Sequence, residues 1–378
     1  MSDPMRMVSL RNLMAHKVRL ALTVISVLLG TAFVAGSFVF TDTLQRSFDT
    51  IFQTSDKGID TQVKPVHADD AGVPADLVAR IRAVPGAATV EPRVTGTVVL
   101  VDSHGAKLQS NGAPSEGGAW SATSVNPVPT FVSGHAPTRS GEVVVNDGAA
   151  SKHDLHTGDH VKVVVANSKV VAATISGVYK VSFDTGGYIG ALFTPAQALR
   201  LFTDGHHYSA VDVAAAPGMS ERQLTDRIAQ LLPGGLEART GTEVRAADSQ
   251  GVATALGFVT YILLGFGIVA LLVGTFIIYN TFSMIVAQRQ RELALLRAIG
   301  ADRRQVRRSV VLEAAVIGVL GSALGLAAGL GLATGLHAVL DSLDLGLPSG
   351  GLVLSPRTVL VTMLLGVVVT LFAAYTPA

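Results

Sequence analysis

Residues Val286–Arg308 read VAQRQRELALLRAIGADRRQVRR. Seven arginines stand here against only Glu292 and Asp302, a net charge of +5. The segment lies between two of the longest apolar runs of the chain. Positive charge beside membrane spans is retained on the cytoplasmic side, so a short basic loop between two long apolar runs marks that side. Working outward, four stretches carry no Asp, Glu, Lys or Arg: Leu20–Thr41, Val252–Gln288, Ala314–Leu340 and Thr358–Ala378, of 22, 37, 27 and 21 residues. A bilayer-spanning helix needs about 20 predominantly apolar residues. Arg6, Arg11, Lys17 and Arg19 place the N-terminus inside by the same charge rule. Two separate basic clusters thus agree on one topology.

That topology predicts an α-helical membrane protein with four transmembrane helices and a large extracytoplasmic α+β domain between the first and second. The expected divisions are a cytoplasmic N-terminus at 1–19, a first span at 20–41 and the outer domain with stalk helices at 42–251. A second span with a stalk extension follows at 252–286, a cytoplasmic segment at 287–309 and a third span at 310–340. A short outer loop at 341–357 leads to a fourth span at 358–378. The second apolar run would reach about 55 Å as a helix at about 1.5 Å per residue, against a hydrocarbon core of about 30 Å. The excess predicts a helix projecting beyond the membrane. Thr43–Phe52 also reads as helix, with Leu44, Phe48, Ile51 and Phe52 on one stripe, so a paired stalk is expected. A cleaved signal peptide is a poorer reading of Leu20–Thr41: its apolar run exceeds 7–15 residues and no clear A-x-A site follows.

Composition agrees. Of 378 residues 49% are hydrophobic and 15% charged, with mean hydropathy +0.45, whereas soluble domains carry about 25% charged residues. The net charge of +1 gives no case for a nucleic-acid partner. Residues 42–250 are net −5 and residues 1–20 net +3. With no cysteine in the chain, disulfides, iron–sulfur clusters and thiolate metal sites are excluded. Spans without acidic or basic side chains also argue against an ion-coupled secondary transporter, which needs intramembrane ionisable groups. In the third run Gly321, Gly325 and Gly329 recur at four-residue spacing, beside a row of Ala323, Ala327, Gly331 and Gly335. Small residues at that spacing let helix backbones approach closely, within the chain or, less favoured, between two copies.

The outer domain alternates strand-like and helix-like pieces. Ala75–Val84 reads as an amphipathic helix. Val90–Asp102, Glu142–Asn146, Val161–Ala166 and Val170–Tyr179 read as strands. Ser220–Leu232 reads as a helix, with Ser220 as cap and Gln223 completing a capping box; with Val211–Ala214 and Leu236–Thr240 it forms a β-α-β run. Ser103–Pro137, rich in Gly, Ser and Pro and holding the only tryptophan, Trp120, reads as a long loop or a junction between two lobes.

Few motifs carry chemistry. The chain has no Gly-Lys dipeptide and no lysine after Lys180, so it holds no Walker A loop. No G-x-S-x-G or H-E-x-x-H appears. His153, His156 and His160 recur at metal-like spacing, but Gly158-Asp159 interrupts any helix there, and a solvated surface is the better reading. His206-His207 reads as a pair in a polar loop. The basic segment divides into two helices at Gly300, which suits a left-handed cap, and Asp302, which caps the second with Gln305. Leu293, Leu296 and Ile299 line one side of the first helix, an apolar stripe that calls for a partner. On the second, Arg303/Arg307 and Arg304/Arg308 are i,i+4 like-charge pairs, which repel when isolated and need lipid headgroups or an acidic protein surface.

These residues resemble the FtsX/MacB-type ABC transporter permeases. Arg291-Glu292, Leu295–Ala301 (LLRAIGA) and the basic helix entering the glycine-rich span at Gln305–Gly329 are similar to that family's cytoplasmic segment, and Arg11–Gly36 to its first span. The layout of one span, a large outer domain and three further spans also matches. The resemblance implies a permease of the bacterial cell membrane that dimerises or carries a second permease unit, contacts lipid and pairs with a separate ABC-type ATP-binding subunit. ATP and Mg would then be bound on that subunit, with no cofactor or metal on this chain. It implies export or extraction of a lipid, peptide or antibiotic, or else mechanical control of an extracellular cell-wall hydrolase. Arg291, Glu292, Leu296, Arg297, Gly300 and Ala301 are expected at or beside the cassette contact, with Arg289, Leu293, Arg303 and Arg304 flanking them. Family members continue with arginines beyond a Pro-Ala such as Pro377-Ala378, so the fourth span is expected to be cut short at its cytoplasmic end.

Overall fold

The structure, a computed structural model, describes residues 17–67, 70–110, 113–126, 128–165, 169–181, 187–288, 303–342 and 351–375. The chain divides into two compact units. One comprises residues 1–46, 253–339 and 350–378, the other residues 47–252 and 340–349.

The first unit holds most of four helices: α1 (Lys17–Ser55) up to residue 46, α6 (Gly241–Gln288) from residue 253, α7 (Arg303–Ser342) up to residue 339, and α8 (Pro356–Tyr375). All four contain a stretch long and apolar enough to cross a membrane. At 39 and 48 residues, α1 and α6 measure about 58 and 72 Å, far beyond one bilayer core. The stripe at Thr43–Phe52 is part of α1, with no break after the first apolar run. Likewise α6 begins directly after a strand at Gly241, well before the apolar run at Val252. Pro356 opens α8, where its missing N–H costs nothing.

The second unit holds two lobes. In the first, strands β1 (Thr61–Pro65), β3 (Ala87–Arg93), β12 (Ala210–Ala215) and β13 (Leu236–Thr240) form a sheet in the order β13-β1-β12-β3, every pair antiparallel. Helices α2 (Ala75–Arg82) and α5 (Glu221–Ala229) pack on it, giving a β-α-β-β-α-β wrap around a core of Val63, Leu77, Ile81, Val211, Leu224 and Ile228. Ser220 caps α5 in a complete capping box: its Oγ accepts from Gln223 N, and Gln223 Oε1 accepts from Ser220 N, each at 3.3 Å.

The second lobe is inserted between β3 and β12. Its strands are β4 (Thr95–Val101), β5 (Ser115–Ala119), β6 (Phe131–Gly134), β7 (Glu142–Asn146), β8 (His160–Val165), β9 (Val170–Tyr179) and β10 (Ile189–Phe193), in the order β6-β9-β7-β10-β5-β4-β8. Because β8 also pairs with the first half of β9, the sheet closes on itself. Closure leaves no long edge to protect and encloses a core of Leu100, Val143, Val163, Ile175, Ile189 and Phe193. All five residues of β7 are buried, so it reads as a continuous apolar run instead of an alternating one. Short helices α3 (Asp147–Lys152) and α4 (Pro195–Phe202) complete the lobe.

Two expectations are corrected here. Ser103–Pro137 is not a long loop: it contains β5 and β6, and Trp120 is buried against Phe131 and Tyr179 at ring separations of 4.9 and 6.1 Å. The sequence SEGGA hid β5 because its glycines supply no apolar signal. They are required by packing, since a side chain at Gly117 would collide with the Phe202 ring of α4. His207 is likewise not in a plain loop but in a two-residue strand, β11 (His207–Tyr208), paired with β2 (Val73–Pro74).

Phe193 is fully buried at 0% exposure, and its carbonyl accepts from Trp120 N at 2.8 Å. Phe193→Ala is expected to destabilise the outer unit by about 3–5 kcal/mol. Denaturant unfolding followed through the single tryptophan measures it; a loss under about 1 kcal/mol would contradict this packing.

Candidate functional site

In lipid, apolar faces gain nothing by leaving the solvent, so helices hold together by close contact of small residues. The described helices meet in that way around α1. Side chains added at Gly321, Gly325 and Gly329 of α7 would collide with Val27, Thr31 and Ala35 of α1, one turn apart on each helix. Gly366 of α8 lies against Ser322 and Thr31, Gly318 against Val367 and Thr370, and Gly274 of α6 against Ser26. Thus α1 touches all three other helices. Its apolar window is 61% buried, against 17%, 33% and 33% for α6, α7 and α8. The hydroxyls on α1 do not need neighbours: Ser26, Thr31, Ser37 and Thr43 donate to the carbonyl four residues back at 2.6–2.8 Å.

Farther along α1, polar contacts replace glycine packing. Thr41 Oγ1 and Thr260 Oγ1 of α6 are 2.9 Å apart. Asp42 Oδ2 accepts from Ser355 Oγ at 2.7 Å and Thr358 Oγ1 at 3.1 Å, and Ser355 in turn accepts from Thr358 N at 3.3 Å. Ser355 is therefore the N-cap of α8, and the Asp42 carboxylate lies by the positive end of that helix. Val353 N donates to Thr43 Oγ1 at 3.0 Å, and the Arg357 guanidinium stands over the Phe38 ring at 5.3 Å.

Within the outer unit, the end of α1 and the start of α6 meet at a charged joint built on two buried carboxylates, Asp56 and Asp212. Arg245, in the first turns of α6, donates to the carbonyls of Asp56 and Ile59 at 3.1 and 3.3 Å and so satisfies groups just past the C-terminus of α1. Gly241 N donates to Asp60 O at 2.8 Å, and no side chain fits at Gly241 against the Ile59 carbonyl. Thr240 and Glu243 cap α6 reciprocally at 2.9 and 3.2 Å. Beside them Arg93 bridges Asp212 at 3.4 Å and Asp56 at 3.8 Å, and Gln62 Nε2 donates to Asp212 Oδ1 at 2.8 Å. Burial pushes the Asp56 carboxyl up to about 6; Asp248 and Asp212 add to the rise, while Arg93 and Arg245 oppose it. Asp212, first among several causes, holds the Arg93 guanidinium even more firmly charged.

Of the residues the sequence singled out, Gly321, Gly325 and Gly329 form the α7 row against α1. Arg289, Arg291, Glu292, Leu293, Leu296, Arg297, Gly300 and Ala301 lie outside the described residues. Arg303 and Arg304 are the first two residues of α7. His153 ends α3, His156 is exposed and His160 opens β8, its Nδ1 3.0 Å from Thr174 Oγ1. The joint itself escaped sequence reading, although two signals were present: Asp212 interrupts the apolar strand AVDVAA, and Thr240-x-x-Glu243 has capping-box spacing.

Comparison with known proteins places the chain. It matches the MacB-like periplasmic core domain over residues 20–231 and the FtsX-like permease C-terminal region over residues 264–378. An ABC transporter permease protein of Mycobacterium tuberculosis is 28% identical over 201 residues, covering 53% of this chain and 23% of that protein. The ABC transporter permease YtrF of Bacillus subtilis is 27% identical over 179 residues, 47% of this chain and 39% of its own length. The alignments thus span well under half of these curated relatives. Among solved structures, the periplasmic region of MacB from Actinobacillus actinomycetemcomitans has a TM-score of 0.38 at 12% identity, covering 52% of this chain and 97% of that one. The extracellular domain of the ABC-type transporter YknZ has a TM-score of 0.37 at 14% identity, covering 48% and 99%.

The Asp56 side chain is only 6% exposed, so its shift from 3.8 to about 6 is a stability term. A carboxyl whose folded pKa is raised favours the fold at low pH. Its contribution is complete below the unfolded value and is lost as pH rises through about 6, to a limit of about 3 kcal/mol. The stability of Asp56→Asn relative to the parent should therefore rise progressively from pH 4 to pH 7. Calorimetric unfolding across that range checks it; a difference that is flat or runs the other way would contradict the assignment.

Proposed function

The chain belongs to the FtsX/MacB-type ABC transporter permease family, and on that premise we propose that it is the membrane-spanning subunit of an ATP-driven complex. In this reading a separate ABC-type ATP-binding subunit docks on the cytoplasmic segment 287–309, and ATP and Mg are bound there. Movement at that segment shifts the spans, and the shift reaches the outer domain to export or extract a lipid, peptide or antibiotic. The N-terminus faces the cytoplasm of a bacterial cell, and two permease units work together.

The observation that carries the proposal is the continuity of α1 and α6. Each is a single unbroken helix, Lys17–Ser55 and Gly241–Gln288. A helix resists compression and bending along its hydrogen-bonded ladder, so displacement at one end is delivered at the other. The cytoplasmic end supports the docking role through its sequence: Leu293, Leu296 and Ile299 read as an apolar stripe amid arginines, and the like-charge pairs Arg303/Arg307 and Arg304/Arg308 call for an anionic surface.

Copurification with a coexpressed cassette tests this. Leu296→Glu places a charge on the stripe and should cost most of the bound cassette and most of the permease-stimulated ATPase activity. The fluorescence of Trp120 in the outer unit should stay unchanged, which separates lost docking from lost folding. A complex that survives this change with full activity would show that the cassette docks elsewhere.

A further inference from the structure

Besides the joint, the outer unit has a cleft of about 850 Å³ between its two lobes. Its walls come from both: Val90 and Pro92 of β3 on one side, Trp120, Pro195 and Leu199 on the other. That volume falls within the range of small-molecule sites, which combine a mostly apolar lining with a few polar groups. The lining carries one charged side chain, Arg82, and no carboxylate. Arg82 stands exposed in the last turn of α2, and among the described residues it has no hydrogen-bond or ion-pair partner. Its neighbour Arg80, by contrast, donates to Leu231 O at 3.3 Å.

The cleft is held open by two sets of contacts. The chain crosses between lobes twice, at Arg93–Thr95 and Tyr208–Ala210. Ser209 ties the crossings together, its N donating to Arg93 O at 2.9 Å and its Oγ accepting from Thr95 N at 3.2 Å. The segment after Trp120 forms a strap to the first lobe. Ser124 Oγ and Val125 N both donate to Glu91 Oε2, at 2.8 and 2.9 Å, and Gly58 N donates to Asn126 Oδ1 at 2.7 Å. Only glycine fits at Gly58, because the Val125 carbonyl occupies the place of a side chain. Glu91 lies on the strand that supplies the opposite wall, so the strap fixes the distance between the walls. A cleft set in advance loses little free energy to ordering when a ligand enters.

We propose that this interlobe cleft is a binding site for an organic anion with an apolar, ring-sized body, its charge paired with Arg82 and its body laid between the proline, leucine and tryptophan walls. The charge complementarity selects the class: one free guanidinium at a cleft of mixed polar and apolar lining that holds no acid rejects cations and favours a single carboxylate-like group. Gly58 is the third residue past the end of α1, so the strap also ties the site to that helix. The binding site is independent of whether a cassette drives the protein.

The test uses the full chain in lipid nanodiscs and the fluorescence of Trp120, the only tryptophan. The probe is 6-bromo-2-naphthoate, whose heavy atom quenches at contact, so probe dissolved in lipid stays silent; its neutral carboxamide is the comparison. Saturable quenching by the naphthoate is expected. Ala196→Phe, which fills the cleft from an exposed helix position, should abolish saturation. Arg82→Gln should weaken the naphthoate about tenfold and leave the amide unchanged. An unaltered thermal unfolding midpoint in each variant establishes that the fold is kept. Quenching that rises linearly without saturation in the parent chain, or saturation untouched by Ala196→Phe, overturns the site. Saturation with equal loss or no loss of both probes in Arg82→Gln overturns the anionic class.

Discussion

Inside a bilayer, helices cannot be driven together by hiding apolar surface, because lipid is as apolar as leucine. What remains is close approach, and close approach needs residues that take no room. The row Gly321, Gly325 and Gly329 on α7 meets Val27, Thr31 and Ala35 on α1, and Gly366 on α8 meets the same Thr31. The other features of the first unit follow from this. Because α1 is the helix the others grip, it is buried most along its apolar window, and its serines and threonines satisfy themselves on their own backbone. A larger side chain on the α7 row would separate the backbones and remove the dispersion contacts that stand in for the hydrophobic effect.

The joint in the outer unit obeys the opposite logic. There, two buried carboxylates, Asp56 and Asp212, share the partly exposed Arg93, and Arg245 holds the carbonyls past the end of α1. Buried ion pairs add little net stability, since desolvation offsets attraction, but breaking one partner is costly. Such a joint resists rearrangement more than it adds stability. It fixes the end of α1 and the start of α6 beside one sheet of the outer unit. The Asp56 carboxyl, raised to about 6, is the cost of that geometry.

Much of the architecture was legible in the sequence because it rests on local, repeated signals. Uncharged runs marked four spans, and Ser220 with Gln223 marked the start of α5. β7 and β9 were readable because three valines crowd into each, joined in β9 by Ile175. What escaped depended on contacts between distant residues. β5 is a strand whose glycines exist to admit Phe202, and no periodicity reveals a neighbour so far along the chain. The joint collects Asp56, Arg93, Asp212 and Arg245 from four separate segments, so each looked like an ordinary surface charge alone. The cleft walls likewise come from separate segments of both lobes. The glycine row on α7 was visible as a pattern, but its partner on α1 is a property of the packed helices only.

The packing of the spans depends on which face of α7 meets α1, and site-specific crosslinking measures that directly in a chain that has no cysteine of its own. Gly36→Cys combined with Leu332→Cys, whose Cβ atoms would lie 3.4 Å apart across α1 and α7, should oxidise readily to an intramolecular disulfide in membranes. Ala35→Cys combined with Gly331→Cys, where a side chain at Gly331 would meet open space, should not. Equal crosslinking of both pairs, or crosslinking of the second alone, would contradict α1 as the helix around which the spans assemble.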